Sequence, residues 1–143
     1  MPDIAPEVLS IADACLGGLQ GRSALLIGPE EQRYPYLQLL RQERMKYIYQ
    51  EETPERAPYI LPYVQLLIYT PAITRFEGQR LVIPYLTAGT IAKGCEGRRT
   101  PLLIFDLAPT TSVEELAGLL PAVCLYTPED LRRILCKTAM KAS

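Results

Sequence analysis

Five short apolar runs divide the chain and alternate with stretches that have helical periodicity. The runs cover residues 23–28, 47–49, 66–69, 102–105 and 123–126, and each is short enough for a buried strand. Strands separated by helices pair in parallel, because each connection must cross one face of the sheet. The pattern therefore predicts a three-layer α/β fold, an open parallel sheet with helices on both faces, in which the strand at 24–28 is central.

Helical spacing and capping residues predict the helices between these strands. Residues 7–16 place apolar side chains on one face and stop at Gly17 and Gly18, which suit a helix C-terminus. Prolines within residues 54–62 limit any helix there to about one turn. The remaining predicted helices begin at Pro35, at Leu81 with Pro84 in the first turn and Lys93 at the end, and at Thr127 followed by Pro128.

The composition fits one domain and disfavours two classes of partner. The chain has 143 residues, 48% of them hydrophobic, so we expect a single domain over residues 1–143, with a core at 23–136 and a short C-terminal tail. Fifteen basic and sixteen acidic residues give a net charge of -1 without a basic block, which argues against nucleic acid and membrane surfaces. No apolar run reaches the roughly 20 residues of a membrane helix, and the acidic N-terminal region is unlike a signal peptide, so we expect a cytoplasmic protein.

The residue types exclude several kinds of catalytic site. There is no histidine, which excludes Ser-His and Cys-His nucleophilic catalysis, and the four cysteines are scattered without metal-ligand spacing. We therefore predict no catalytic set and no metal site in this chain. Cys95 lies close to Arg98 and Arg99, which would lower its pKa if it is exposed, but a thiol without a partner base is more often inert.

The residues after the first strand have the pattern of a dinucleotide-binding turn that has lost most of its glycines. Such a turn needs Gly at the first, third and sixth positions of G-x-G-x-x-G, so that bare backbone reaches the pyrophosphate and the helix packs closely on the strand. Only Gly28 is present, since Glu30 and Arg33 occupy the other two positions. Pro29 removes an N–H donor and the Glu30 carboxylate repels a phosphate, which predicts a lost or rebuilt nucleotide site.

Several longer segments resemble the nucleotide-binding domain of the glutamyl-tRNA reductase family, within the shikimate and quinate dehydrogenase group of Rossmann domains. The similarity runs from about Ile11 to Ile134 and depends on the combination and order of the segments. They are GLQGRSALLIG at 18–28, KYIY at 46–49 with ERA at 55–57, RTPLLIFDLAP at 99–109, and the stretch from LPAV at 120–123 through LY to EDL at 129–131. The resemblance implies a Rossmann-like fold and NADPH-dependent reduction of a glutamyl thioester at the head of tetrapyrrole (porphyrin) biosynthesis.

The chain departs from this family in size and at two turns. The family's catalytic cysteine and tRNA-contacting surface lie in a separate N-terminal domain and its dimerisation helix in a C-terminal one, so we expect only the middle domain here. The family has an Asn-Arg-Thr turn after the second strand, whose Arg meets the adenosine phosphate of NADPH, but this chain has Glu52 at about that place. Two acids, Glu51 and Glu52, would repel a 2'-phosphate, although an acid there can accept a hydrogen bond from the ribose 2'-hydroxyl of NAD. The loop at 108–111 also lacks the family's Pro-Arg pair.

Seven residues are candidates for a degenerate cofactor site, and each has a structural alternative. They are Gly28, Pro29, Glu51, Glu52, Thr70, Pro71 and Asp106. Gly28 is either a relic of the phosphate turn or a turn at a strand end, and the two glutamates are either ribose ligands or solvated acids. Thr70 and Pro71 either pass along a nicotinamide ribose or form an ordinary strand exit, and Asp106 either faces a ligand or caps the loop after it.

Two functions follow from these observations. In the first, the chain is a non-catalytic Rossmann-like module, a protein-interaction or accessory subunit that needs no cofactor and binds a protein partner or a second copy. In the second, it is the NAD- or NADP-binding domain of an oxidoreductase in tetrapyrrole biosynthesis that acts with further domains or partner chains. The lost glycines and the acids favour the first. Most of the tyrosines lie between residues 34 and 69, where they either fill the core or serve as interface contacts.

Overall fold

The computed structural model contains the five-stranded parallel sheet that the sequence predicts. It describes residues 4–70, 76–77, 80–81, 86–108 and 112–142. The strands are β1 (Ser23–Ile27), β2 (Tyr47–Glu51), β3 (Leu66–Tyr69), β4 (Phe76–Glu77), β5 (Arg80–Leu81), β6 (Leu102–Asp106) and β7 (Val123–Tyr126). The main sheet has the order β2-β1-β3-β6-β7, and β4 and β5 form a separate antiparallel pair.

The central strand is β3, so the prediction that the strand at 24–28 is central is wrong. β1 pairs in parallel with β2 on one side and with β3 on the other, and β3 pairs in turn with β6. All residues of β1, β3 and β6 are buried. An apolar run therefore indicates that a strand is interior, but it cannot say which interior strand is in the middle. The strand order reverses between β1 and β3, which is where open α/β sheets bind ligands.

Helices cover both faces of this sheet. They are α1 (Ala5–Leu16), α2 (Glu30–Arg41), α3 (Ala57–Ile60), α4 (Ala88–Gly94) and α5 (Pro128–Ala142). α1, α2 and Leu131 of α5 share one buried cluster with one face of the sheet. Residues of α3, α4 and a 3-10 turn, Glu115–Leu119, form the cluster on the other face. No helix in the described part of the chain is long and apolar enough to cross a membrane.

α2 begins at Glu30, so the prediction of a helix start at Pro35 is wrong. Pro29 is the N-cap, and Pro35 lies inside the helix, where its missing N–H leaves the Glu31 carbonyl without an i+4 donor. The buried positions of α2 are Arg33, Tyr36, Leu37 and Leu40. These residues form the buried face of α2, and the first of them is an arginine. Because the apolar residues of this face begin only at Tyr36, the apolar pattern alone places the start of α2 about one turn too late.

The other helix boundaries follow the capping residues. Gly17 has a left-handed φ of 67° after α1, and the Gly18 N–H donates to the Asp13 carbonyl at 2.8 Å, as the sequence predicts for a helix C-terminus. Thr127 accepts from the Asp130 N–H at 3.1 Å and begins α5, which continues past residue 136 to Ala142. α4 begins only at Ala88, behind the N-cap Thr87, while residue 81 is in β5 and Pro84 lies outside the described residues.

Candidate functional site

The carboxyl ends of four strands bring most of the candidate residues to one edge of the sheet. Ile27 of β1 is in register with Glu51 of β2 and with Tyr69 of β3, and Tyr69 is in register with Asp106 of β6. Gly28 and Thr70 directly follow β1 and β3. The structure therefore places these candidates along the edge where a Rossmann-like sheet holds its ligand. Pro71 lies outside the described residues.

Gly28 is held in place by Thr70. Its φ of 139° is in the region that favours glycine, and its N–H donates to the Glu51 carbonyl at 2.9 Å. The Thr70 hydroxyl donates to the Ile27 carbonyl at 2.9 Å, which turns the side chain over Gly28. A β-carbon built on residue 28 would lie 1.8 Å from Thr70 Oγ1. The fold therefore requires glycine at residue 28 for its own packing, whether or not the residue descends from a phosphate turn.

Arg33 braces the turn in the position of the third glycine of a dinucleotide-binding motif. Its Nε donates to the Gly28 carbonyl at 2.7 Å, and its Nη1 donates to Gln50 Oε1 at 2.8 Å. Only 8% of Arg33 is exposed. The guanidinium therefore ties the end of β1 to β2 through the first turn of α2. The dinucleotide-binding motif identifies Arg33 only as a residue that replaces a glycine, and it does not predict these hydrogen bonds. The available sequence signal is that Arg33 lies three and four residues before Tyr36 and Leu37, which places all three on the same face of a helix.

The N-terminus of α2 carries its own negative charges. Pro29 is half-buried with φ of -59°, and Glu30 and Glu31 are both exposed in the first turn. These carboxylates stabilise the positive end of the helix dipole. A phosphate at the same place would meet their repulsion and would find no N–H on Pro29.

The two glutamates at the end of β2 have different surroundings: Glu51 is its last residue and Glu52 follows it. Glu51 Oε1 lies 3.5 Å from Arg56 Nε, and 21% of the Glu51 side chain is exposed. Glu52 is exposed, in the turn that follows. Because the Arg56 side chain is largely exposed, this ion pair is weak and holds Glu51 only loosely. The structure leaves both acids within reach of solvent at the edge where a ribose would lie.

Asp106 caps the loop that follows β6. It is 1% exposed, and its Oδ2 accepts from the N–H groups of Ser112 and Val113 at 2.8 and 2.9 Å. Its Oδ1 accepts from the Ala108 N–H at 3.2 Å. Burial raises the pKa of Asp106, and the three N–H groups oppose that shift. Both carboxylate oxygens are occupied by backbone, which favours the capping alternative.

A second arginine, Arg98, bonds several backbone carbonyls on the face of the sheet that packs against α3 and α4, and we call this group of hydrogen bonds the Arg98 clamp. The sequence pattern does not predict it. Arg98 donates to the carbonyls of Leu61, Val64 and Thr100. Burial raises the pKa of Cys95, and the nearby Arg98 offsets only part of that shift. This supports the inert alternative for Cys95. The described residues contain no group of three or more Cys, Asp and Glu side chains placed to hold a metal ion.

Comparison with known proteins identifies the relatives of the chain. No family model matches it. It is 30% identical to the glutamyl-tRNA reductase of Methanospirillum hungatei JF-1 over an alignment of 153 positions, which covers 95% of this chain and 36% of that protein. It is 28% identical to the glutamyl-tRNA reductase of Alkalilimnicola ehrlichii, over 94% of this chain and 32% of that protein. The chain is a Rossmann-like relative of the glutamyl-tRNA reductases.

The relationship to glutamyl-tRNA reductase extends over almost all of this chain, but the chain spans only about a third of the length of these curated relatives. Solved structures agree on the fold. A dipicolinate synthase chain from Bacillus halodurans superposes with a TM-score of 0.63 at 14% identity, covering 96% of this chain and 52% of that one. A 2-hydroxyacid dehydrogenase from Ketogulonicigenium vulgare Y25 gives 0.50 at 12% identity, covering 85% and 45%. The Rossmann-like resemblance predicted from the sequence is therefore confirmed.

Proposed function

We propose that this glutamyl-tRNA reductase relative is a non-catalytic Rossmann-like module that acts by binding a protein partner. The observation that carries the proposal is the Arg33 brace. Where a dinucleotide-binding turn has glycine, this chain has a buried guanidinium bonded to the Gly28 carbonyl and to Gln50. The guanidinium at this turn is thus bonded to acceptors of the protein itself and ties the end of β1 to β2.

The charges at the same edge support the proposal. Glu30 and Glu31 lie in the first turn of α2, and Glu51 and Glu52 end and follow β2. A pyrophosphate carries two negative charges, and each acid within a few ångströms opposes its binding. Asp106 uses its oxygens on the loop after β6 and so has less capacity to orient a ligand.

The second candidate function is the NAD- or NADP-binding domain of an oxidoreductase in tetrapyrrole biosynthesis, completed by further domains or partner chains. The specific observation in its favour is the 30% identity to a glutamyl-tRNA reductase over nearly the whole chain. Glu51 and Glu52 would then accept hydrogen bonds from the adenosine ribose, which favours NAD over NADP.

Calorimetric titration of the chain with NADH and with NADPH separates the two functions. For the module we expect no dissociation constant in the micromolar range, and no rise in melting temperature at millimolar cofactor, because a ligand that binds the native state stabilises it by mass action. Micromolar binding of either cofactor would overturn the proposal and favour the oxidoreductase.

A rebuilt turn supplies the positive control. Replacing Pro29, Glu30 and Arg33 by Ala, Gly and Gly restores backbone approach and removes one carboxylate, so we expect this variant to bind a dinucleotide measurably. Adding Glu52→Arg should shift its preference from NAD towards NADP, because a guanidinium pairs with a 2'-phosphate. A folded variant that binds neither cofactor would show that the edge is closed by other contacts, such as Thr70 over Gly28.

A further inference from the structure

β2 forms one edge of the main sheet and leaves its outer side open. In the order β2-β1-β3-β6-β7, β2 pairs only with β1. Among the described residues no strand lies beyond it. An edge strand presents unpaired N–H and C=O groups, which are a template for another extended segment.

A basic groove runs beside this edge on the α2 face. Its cavity has a volume of about 250 Å3, and the half-buried Met45 and Ile48 contribute apolar surface to it. Arg41, Arg44 and Lys46 also line it. None of these three cations has a carboxylate of the described residues within ion-pair distance. The groove therefore combines apolar surface with three cations that form no ion pair with the described residues, although the whole chain has a net charge of -1.

Arg44 also has a special backbone. Its φ of 55° is left-handed, a conformation that glycine adopts more easily, and its carbonyl accepts from the Gly21 N–H at 3.1 Å. The turn thus carries an arginine at a position where glycine would cause less strain, and that arginine lines the groove.

Tyr49 gives the opposite face of β2 an aromatic side chain, whereas its neighbour Tyr47 also lines the groove, with Lys46 Nζ 5.8 Å from its ring centroid. Ile48 packs against the cluster on the α2 face, whereas Tyr49 packs against the cluster on the α3 face. The rings of Tyr47 and Tyr49 lie 5.9 Å apart, and 56% of Tyr47 is exposed. Side chains of an added strand would alternate in the same way, one set towards the basic groove and the other towards the tyrosines.

We infer that the β2 edge binds an extended acidic segment of a partner protein, which adds to the sheet as a sixth parallel or antiparallel strand. Acidic side chains at alternate positions face Arg41, Arg44 and Lys46, and the apolar side chains between them pack on Tyr47 and Tyr49. Charge complementarity selects this occupant, because the groove has cations without carboxylate partners beside a strand edge that can supply backbone hydrogen bonds. The inference rests on the proposed protein-binding function and names the chemistry of the partner.

The test is fluorescence anisotropy with a labelled octapeptide of sequence DVEIDVEI at low salt. Two control peptides carry KVKIKVKI, which reverses the charge, and DVEPDVEI, whose proline lacks one backbone N–H. The groove variant is Arg41→Glu with Lys46→Glu. The matched control variant is Lys93→Glu with Arg132→Glu, which changes the net charge equally at two exposed cations outside the groove.

We expect saturable binding of DVEIDVEI, at least about tenfold weaker binding to the groove variant, and unchanged binding to the control variant. Both control peptides should bind at least about tenfold more weakly than DVEIDVEI. Salt should weaken binding, because the cations are exposed.

Four results of the binding measurements would overturn the inference. They are no binding at millimolar peptide, equal loss in both double variants, equal binding of the proline peptide, and stronger binding of an oligouridylate octamer that competes with the peptide. A dimer of the unmodified chain that dissociates in the groove variant would also overturn it, by identifying a second copy as the occupant. Each of these results is independent of the NADH and NADPH titrations, so this inference can fail while the proposed function stands.

Discussion

Thr70 occupies the space that a side chain at Gly28 would need. Its Oγ1 lies 1.8 Å from the position of a β-carbon on residue 28, and its backbone N–H and hydroxyl both donate to the Ile27 carbonyl. The ends of β1 and β3 are thereby packed against each other at the switch point of the sheet.

Replacing Gly28 by Ala should lower the free energy of unfolding by about 2 kcal/mol or more, because it adds backbone strain and a clash with Thr70. Chemical denaturation measures this directly. Gly97→Ala is the matched control, since Gly97 also has positive φ, 69°, but has nothing within 4 Å of the added carbon. If the two substitutions cost the same, the contact with Thr70 is irrelevant to stability.

The Arg33 brace predicts a coupling between two residues. Arg33→Met keeps most of the apolar stem but leaves the Gly28 carbonyl without its charged donor, and should cost about 2 kcal/mol. Combining it with Gln50→Ala should give less than the sum of the two effects, by at least about 0.5 kcal/mol in a double-mutant cycle. If the effects of the two substitutions are strictly additive, the Arg33–Gln50 hydrogen bond contributes nothing to stability. Arg132→Met, at an exposed site, is the control for the loss of one positive charge.

Substitutions at the neighbouring residues Arg98 and Arg99 should change the free energy of unfolding by very different amounts. Arg98→Met should lower the free energy of unfolding by about 2–3 kcal/mol, because three backbone carbonyls lose a charged donor. Arg99 is exposed, so Arg99→Met should stay within about 0.5 kcal/mol of the unmodified chain. Similar midpoints in urea for the two variants would contradict the clamp.

Stability should fall in strong alkali through Tyr69. Burial, with a smaller contribution from Asp106, raises the pKa of Tyr69 from 10.0 to about 12. The folded state holds this proton more tightly, so its contribution to stability is complete below pH 10 and is lost as pH rises through about 12. The stability advantage of the unmodified chain over Tyr69→Phe should shrink by up to about 2–3 kcal/mol over that interval.

Tyr59→Phe provides the control for this titration, because 71% of Tyr59 is exposed. Its difference from the unmodified chain should stay level over the same pH range. If the difference in stability between the unmodified chain and Tyr69→Phe also stays constant as pH rises, burial of the Tyr69 hydroxyl is ruled out as a source of alkaline instability.

The five strands of the main sheet could be predicted from the sequence because each contains a short apolar run, although β2 extends two residues beyond its run, to Glu51, and the short pair β4 and β5 was not predicted. β3 and β7 have the predicted residues, and β1 and β6 differ by one residue at one end. The start of α2 could not be found in this way, because its inward stripe begins at Arg33 and its N-cap is a proline. Burial of an arginine depends on acceptors such as Gln50 that are distant in sequence and become neighbours only after folding.

The sequence predicts which residues of the candidate site lie at the carboxyl ends of the strands, but it does not predict which groups their side chains contact. The alternation of strands and helices brings Gly28, Thr70 and Asp106 to one edge, as expected. Whether Asp106 faces a ligand or the backbone depends on the path of the loop from 107 to 113, and no local pattern specifies that path. A ribose contact of Glu51, which ends β2, and of Glu52, which follows it, remains a prediction.

The central position of β3 has a consequence for the chain as it leaves the ribosome. β3 pairs with β1 across 42 residues, from Ala24 to Leu66, and both strands are complete well before β6 has been synthesised. Until Leu102–Asp106 emerges, a wholly apolar strand has one open edge, which invites pairing between nascent chains. Premature termination before β6 should therefore yield aggregating fragments, whereas completion of β6 moves the open edge away from the middle of the sheet.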